Sequence, residues 1–196
     1  KCFPKARIAR MDADTMSRKN AFRETLGAFR AGKIDILVGT QMIAKGLHFP
    51  NVTLVGIVNA DMGLHMPDFR ASERTLQLLT QVAGRAGRGE VDGEVLVQTY
   101  SPHSPAIQFA RKQDFVEFAV QELELRGVWD YPPFTHMILI TIRSPHERRA
   151  EFTAQTLRRK LGECFPEGVR IEDPAPAPLA RSKGRFRFHL TMRALR

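Results

Sequence analysis

Gln81-Val82-Ala83-Gly84-Arg85-Ala86-Gly87-Arg88 brings an amide and two guanidiniums into one short stretch, with Gln81, Arg85 and Arg88 at i, i+4 and i+7. On a helix this spacing gathers them on one face. A guanidinium is always charged and offers paired donors that match phosphate oxygens, which lysine cannot reproduce. Gly84 and Gly87 each cost about 1 kcal/mol against alanine inside a helix, so they imply either close backbone approach or a helix that ends there. Spacing alone leaves two readings level: a phosphate-binding pair, or a solvated basic face at a helix C-terminus, where cations are favoured.

A second segment adds weight to the phosphate reading. Ile36-Leu37-Val38-Gly39-Thr40-Gln41-Met42-Ile43-Ala44-Lys45-Gly46-Leu47-His48-Phe49 runs off an apolar strand into a Gly-Thr turn and then a short helix. Thr40 is expected at a strand's carboxyl end and a helix N-terminus, a natural seat for a phosphate, with Lys45 adding charge one turn later. A simple helix cap is the plainer role for Thr40.

The elements that must position these groups follow from periodicity. Ala6–Met11 reads as a strand. Ser17–Arg30 reads as a helix, with Phe22, Leu26 and Phe29 at i, i+4 and i+7, candidate caps at Asp14, Thr15 and Ser17, and Gly32 beyond its end. Ile34–Val38 and Val52–Asn59 are apolar runs of the kind found in strands buried on both faces, as in parallel sheets. A helix over Ala71–Ala86 and a strand over Gly93–Thr99 complete a β-α-β-α-β-α-β order, which implies an open α/β sheet covered by helices, with ligands at the carboxyl ends of its strands.

The second half reads differently. Asp114–Arg126 is an amphipathic helix expected to end at Gly127, and Trp129-Asp130-Tyr131-Pro132-Pro133 follows as a stiff boundary. Beyond it come a strand at Thr135–Arg143, a helix at Glu147–Gly162, a strand near Val169–Glu172 and a last strand at Arg185–Met192. Asp173-Pro174-Ala175-Pro176-Ala177-Pro178 reads as an extended connector. The division is therefore an α/β unit at 1–111, a helical connector at 112–133 and a small α+β domain at 134–196.

Composition narrows the classes. The chain has 196 residues, 43% hydrophobic and 26% charged, which excludes wholesale disorder and collagen-like repeats. Its longest apolar runs fall far short of the ~20 residues a membrane span needs, and no signal-peptide pattern opens it, so a soluble intracellular protein is expected. Cys2 and Cys164 are the only cysteines, too few for a disulfide framework or a four-thiolate zinc site; two reduced, partly buried thiols are expected. The net charge of +9 is uneven, +2 over residues 1–133 and +7 over 134–196, and so basic a segment suits a polyanion such as nucleic acid.

The densest basic cluster is Arg181, Lys183, Arg185 and Arg187. Arg185, Arg187 and His189 alternate with Phe186, Phe188 and Leu190, so one strand face is cationic and the other apolar. DNA contact and a merely solvated face are level alternatives for it. Trp129, Tyr131 and Phe134 offer rings for base stacking, but core packing around the Pro-Pro boundary is the expected role. The six histidines lack metal-ligand spacing, and no metal site is expected.

Together the two glycine-containing segments resemble motifs V and VI of superfamily 2 helicases. Gly39-Thr40-Gln41-Met42-Ile43-Ala44-Lys45-Gly46, Phe49-Pro50-Asn51-Val52-Thr53, Pro67-Asp68-Phe69-Arg70-Ala71 with Glu73-Arg74, and Gln77 through Arg88 resemble the primosomal replication-restart family within it. Arg7–Thr15 resembles the segment around motif IV, and Leu125–Phe134 that family's passage into its C-terminal domain.

The resemblance implies an ATP-dependent 3′→5′ DNA helicase acting in primosome assembly and restart at stalled forks. Its motor has two RecA-like lobes, and this chain would supply the second. Arg85 and Arg88 would be arginine fingers toward the γ-phosphate, and Gln81 would hold that phosphate or the attacking water. Gly46 and His48 would lie near the nucleotide sugar, although His48 stands where relatives place an acidic residue. Thr40, Gln41 and Arg10 would touch DNA phosphates, and Arg181, Lys183, Arg185 and Arg187 would add a second DNA surface. ATP and Mg2+ are the implied cofactors of the full-length protein, with zinc only outside this stretch. DNA, primosome proteins and the single-strand-binding protein are the implied partners, in the bacterial cytoplasm at the nucleoid. The sequence holds no Gly-x-x-x-x-Gly-Lys-Ser/Thr loop and no Asp-Glu pair, so a fragment of a longer protein, inactive alone as an ATPase, is expected. The alternatives are a RecG-like translocase of the same superfamily and a non-catalytic DNA- or partner-binding module.

Overall fold

The structure is a computed structural model that describes residues 3–12, 20–40, 43, 51–84, 93–165 and 167–195. Two compact units divide the chain, residues 1–118 and 119–196.

The first unit contains two parallel strand pairs. β1 (Ile8–Met11) pairs with β2 (Ile36–Gly39) in the register Ile8↔Ile36 to Met11↔Gly39, with helix α1 (Ala21–Arg30) between them in the chain. β3 (Leu54–Ile57) pairs with β4 (Glu94–Val97), with α2 (Asp61–Leu64) and α3 (Ala71–Ala83) as the crossover. The parallel α/β character expected from the element order is present. The expectation of strands buried on both faces is corrected: Ile8, Val38, Leu54 and Leu96 are all more than half exposed. Core contact reaches the β3–β4 pair from Ile57 alone among the residues packed on the core, so one side of these short strands stays open.

Phe22, Leu26 and Phe29 form the half-buried stripe of α1. Asn20 stands at its N-cap without a side-chain cap bond, and the expected caps Asp14, Thr15 and Ser17 lie outside the described residues. The unit's core was not foreseen. It is built by α3 and by α4 (Pro105–Lys112), a helix the periodicity reading missed. Leu76, Leu79, Ala106, Ile107, Ala110 and Phe118 pack together, and the Phe109 and Phe118 rings meet edge to face at 6.2 Å. α5 (Phe115–Val128) starts at Asp114, whose Oδ1 accepts the Glu117 N–H at 3.0 Å in the manner of an N-cap. It runs past Gly127 rather than ending there.

The second unit is a four-stranded antiparallel sheet. Its long strand β8 (Arg185–Leu195) pairs on one side with β5 (Thr135–Ser144) and on the other with β6 (Val169–Ile171) and β7 (Ala175–Ser182). Phe188, Leu190 and Met192 are buried and the residues between them are not, the alternation read from the sequence. α6 (Glu147–Cys164) lies on the apolar face. Ala150 and Ala154, both 0% exposed, touch Phe188 with Phe186 and Ile142 beside it; small side chains let the helix axis approach the sheet closely. The alternating prolines are a strand, not a connector: β7 is an edge strand, where a residue without N–H is tolerated. Cys164 is exposed and free, contrary to the part-burial expected of it, and Cys2 lies outside the described residues. No described helix is long and apolar enough to cross a membrane.

Candidate functional site

The carboxyl end of the β1–β2 pair carries two of the residues singled out from sequence. Arg10 is opposite Val38, Met11 is opposite Gly39, and Thr40 follows directly. A Cβ on Gly39 would meet the Met11 carbonyl oxygen at 2.5 Å and Ile43 Cγ2 at 3.1 Å. Glycine is therefore what lets the two strand ends close together and turns the chain at Thr40. Thr40 is exposed, and its carbonyl accepts the Ile43 N–H at 3.1 Å. Arg10 is also largely exposed and is ion-paired with Asp12, itself nearly buried. An anion approaching Thr40 would thus meet a guanidinium already shared with a carboxylate. Gln41, Lys45, Gly46 and His48 lie outside the described residues.

Gln81 sits in the last turn of α3, which ends at Ala83 with Gly84 in the C-cap position and the Gly84 N–H on the Thr80 carbonyl at 3.0 Å. The end expected for this helix at Ala86 lies outside the described residues. Arg85 and Arg88 fall outside them. Beside Gln81 is a depression of about 440 Å3 between α3, α4 and the start of α5, lined by Leu76, Gln77, Thr80, Phe109, Gln113 and Phe115.

The Pro67–Ala71 segment has a defined local role. Asp68 accepts the Arg70 N–H at 2.9 Å and pairs with Arg74 Nη1 at 2.7 Å across the first turn of α3. A carboxylate there favours the positive end of the helix dipole.

Sequence reasoning missed the carboxylate at the other strand pair. Asp61, buried at the start of α2, accepts Thr99 Oγ1 at 3.0 Å and the Tyr100 N–H at 2.9 Å. The Tyr100 N–H is the main reason its carboxyl lies below the ordinary carboxylate range, against the opposing pull of burial; the hydroxyls of Ser101 and Thr99 add to it. Asn59 Oδ1 in turn accepts the Asp61 N–H at 3.1 Å. A lone aspartate in Asn-Ala-Asp-Met offers no pattern, and its partners lie 38 and 39 residues on.

In the second unit, Arg181, Lys183, Arg185 and Arg187 all lie on the β7–β8 hairpin, but Arg181 is in register with Phe186 and so on the opposite sheet face from Arg185 and Arg187. Lys183 and Gly184 form its two-residue turn, both with positive φ, the type that matches strand twist. Arg181 lies over the Phe186 ring at 5.0 Å. Arg185 is exposed, and Arg187 is half-buried with Nη1 3.5 Å from the Leu179 carbonyl. Directly opposite Arg187 on β5 is Arg143. His189 beside them is held below its ordinary value by burial and by the Arg187 charge. The aromatic boundary departs from expectation: Trp129 is 65% exposed and Phe134 47%, so neither is a core residue. Tyr131 is part-buried under the Arg193 guanidinium at 4.6 Å.

Comparison with known proteins adds two family matches. Residues 2–90 match the helicase conserved C-terminal domain and residues 128–196 the primosomal protein N C-terminal domain. The replication restart protein PriA of Bacillus subtilis strain 168 is 46% identical over 193 residues, 98% of this chain and 24% of that protein. PriA of Synechocystis is 44% identical over 191 residues, 97% of this chain and 23% of its own length, and PriA of Treponema pallidum is 45% identical over 192, 98% and 29%. The chain belongs to the PriA family. It spans about a quarter of the length of these relatives. Arg10, Thr40, Gln41, Gly46, His48, Gln81, Arg85 and Arg88 all fall within the helicase match, while Trp129, Tyr131 and the hairpin arginines fall within the other. α4 and most of α5 lie between the two.

Proposed function

We propose that this chain supplies the second RecA-like lobe and part of the C-terminal domain of an ATP-dependent 3′→5′ DNA helicase that acts in replication restart. The observation that supports the reading is that Arg10, ion-paired with Asp12, and Thr40, which follows β2, both lie at the carboxyl end of one parallel strand pair, where Gly39 lets the strand ends close together. Ligands of open α/β sheets gather at that end, and an exposed hydroxyl and guanidinium there suit a DNA phosphate. Backbone contacts of this kind position a strand without reading its bases, as a motor indifferent to sequence requires. Thr40, Gln41 and Arg10 are the proposed DNA contacts of the lobe; Arg181, Lys183, Arg185 and Arg187 are those of the second unit.

The donor set fits one side of a nucleotide. Gln81 presents an amide where α3 ends, and the two arginines that follow add only donors, the chemistry that γ-phosphate oxygens accept. ATP, when bound with Mg2+, would supply the hydrolysis that drives movement; the magnesium ligands and the phosphate loop would come from the other lobe. Arg85 and Arg88 would stabilise charge on the transferring phosphoryl group, Gln81 would orient the attacking water, and Gly46 and His48 would lie toward the sugar. Restart at a fork also implies primosome proteins and the single-strand-binding protein as partners, a place in the cytoplasm at the nucleoid, and zinc elsewhere in the longer protein.

Arg85→Ala and Arg88→Ala in the full-length protein test the assignment. Each is expected to lower DNA-stimulated ATP turnover by about a thousandfold, the scale of an arginine finger, while nucleotide binding stays near wild type. Wild-type turnover in both would remove their catalytic role. This chain alone is expected to show no magnesium-dependent ATP turnover and only weak, salt-sensitive DNA binding.

A further inference from the structure

One face of the β5–β8 sheet is covered by α6; the other is cationic. The register puts Arg143, Arg185, Arg187, His189, Arg193 and Arg170 on that second face. Arg143, Arg170 and Arg185 make no hydrogen bond or ion pair among the described residues, and Arg187 Nε has no partner. Arg143 and Arg187 stand directly across from each other, an arrangement that like charges disfavour unless an anion lies between or above them. One carboxylate in register with this face is Glu172, already paired with Arg193 at 2.9 Å.

Arg193 does more than balance Glu172. Its Nη1 donates to the carbonyls of Trp129 at 3.0 Å and Asp130 at 3.3 Å, and its guanidinium covers the Tyr131 ring at 4.6 Å. Thr135 Oγ1 donates to the Asp130 carbonyl at 2.8 Å from a buried position. The Trp129–Tyr131 segment is therefore pinned at one end of the cationic face, and Trp129 is held there with 65% of its surface open. Arg170 is in register with Arg193 at this end, and Arg143 and Arg187 lie six residues further along β8, roughly 20 Å at the rise of a strand. A large exposed ring at one end of such a cationic face is the combination used by single-strand binders: charge for the backbone, a π-face for a base.

We propose that Trp129 is a base-stacking residue for an unpaired DNA strand whose phosphates run along the Arg143–Arg187 face. The proposal rests on the DNA-binding reading of this unit and goes beyond it by naming the stacking residue and a preference for single strands.

The chain has one tryptophan, so its fluorescence reports Trp129 alone. The test titrates this chain with oligodeoxythymidylate of about twelve nucleotides, a fully abasic strand of equal length and a blunt duplex, following fluorescence and the anisotropy of a dye on the DNA together. Oligodeoxythymidylate is expected to quench Trp129 saturably, with the same midpoint as the anisotropy. The abasic strand is expected to bind through its backbone without quenching, and the duplex to leave the fluorescence unchanged. Trp129→Ala is expected to weaken oligodeoxythymidylate about tenfold while leaving the abasic strand unaffected, and Trp129→Phe to retain most of the affinity. Arg143→Gln with Arg187→Gln is expected to weaken both strands. Binding of oligodeoxythymidylate without quenching, or at wild-type affinity by Trp129→Ala, overturns the stacking role alone and assigns Trp129 to the neighbouring exposed apolar residues Val128 and Phe134, facing protein. Anisotropy that responds to no strand overturns the DNA reading of this unit as well.

Discussion

Thr99 Oγ1 donates to Asp61 Oδ1 at 3.0 Å, a bond that ties the carboxyl end of β3 to that of β4. The Tyr100 N–H holds the other carboxylate oxygen at 2.9 Å, and the Ala60 N–H reaches the Gln98 carbonyl at 3.1 Å. The two strand ends are thus joined by a carboxylate as well as by the ladder. α2 and then α3 follow from this junction, so the position of Gln81 depends on it through two short connections.

Asp61→Asn is expected to loosen this junction, because one amide oxygen cannot replace two carboxylate acceptors and the amide NH2 would face one of the two donors, Thr99 Oγ1 or the Tyr100 N–H. The expected result is a melting temperature several degrees lower and faster amide hydrogen exchange at Tyr100 and Ser101. Thr99→Val, which removes one donor and leaves the Tyr100 bond, should have a smaller effect. Unchanged exchange at Tyr100 in Asp61→Asn would make the tie dispensable.

The acid response of the first unit should be readable at Asp35. Arg7 grips this carboxylate from three donors, with Nη2 at 2.6 Å, the backbone N–H at 2.7 Å and Nε at 2.9 Å. These side-chain and backbone hydrogen bonds lower the Asp35 pKa from 3.8 to about 2. A carboxylate whose pKa falls on folding contributes stability that is present above 3.8 and lost as pH drops through about 2. Both partners are largely exposed, so the contribution is small and screened by salt. Titration of the Asp35 carboxyl carbon by NMR is expected to show a midpoint near 2, returning toward 3.8 in Arg7→Gln.

How much of this was legible from sequence depends on how local each signal is. The stripe of α1, the alternation of β8 and the helix α6 each repeat within one element, and each was readable. α4 was missed although Ser104-Pro105 and Arg111-Lys112 are ordinary start and stop signals. Two of its three buried residues are alanines, which register as core only once Leu76, Leu79 and Phe118 surround them. β7 was misread because proline at alternate positions looks like a polyproline connector; only pairing with β8 reveals an edge strand. Among the candidate site residues, Thr40 stood out because it follows an apolar strand, and Arg10 through the resemblance of Arg7–Thr15 to motif IV. Asp61 was not, since its chemistry comes from residues far along the chain. Trp129 was read as core because large rings are usually buried, and the bond from Arg193 to its backbone carbonyl joins residues more than sixty apart.

Packing in the second unit gives a stability prediction. Leu190 is fully buried in β8, and Leu190→Ala is expected to cost about 3 kcal/mol from lost transfer and the cavity left behind. Ala154→Leu acts in the opposite sense on volume: it would push α6 off Phe188 and is expected to cost about 2 kcal/mol by overpacking. Urea unfolding followed by circular dichroism should show both, whereas Phe152→Ala, at a position 70% exposed, should stay near wild type.

The β7–β8 hairpin carries a salt-dependence prediction. Each phosphate neutralised on a single strand contributes about −0.7 to the slope of log affinity against log salt. Changing Arg181, Lys183, Arg185 and Arg187 to glutamine together is expected to reduce that slope by up to about 3 in this chain, leaving the folded state intact because three of the four are exposed. An unchanged slope would leave the hairpin a solvated surface and confine DNA contact to the other arginines.

His189 provides a probe of where the strand runs. It sits on β8 two residues from Arg187 and opposite Thr141, and burial with the Arg187 charge keeps its pKa below 6.5. The folded chain therefore binds fewer protons here than the unfolded one. The stability this histidine contributes is present above pH 6.5 and is lost as pH falls through its folded value. A phosphate backbone lying across Arg143 and Arg187 would neutralise the charge that disfavours the imidazolium. The His189 pKa is then expected to rise on addition of oligodeoxythymidylate, and NMR of the imidazole protons at several pH values would measure it. A value that stays low when anisotropy reports a bound strand would place the backbone away from His189, where salt screens its charge.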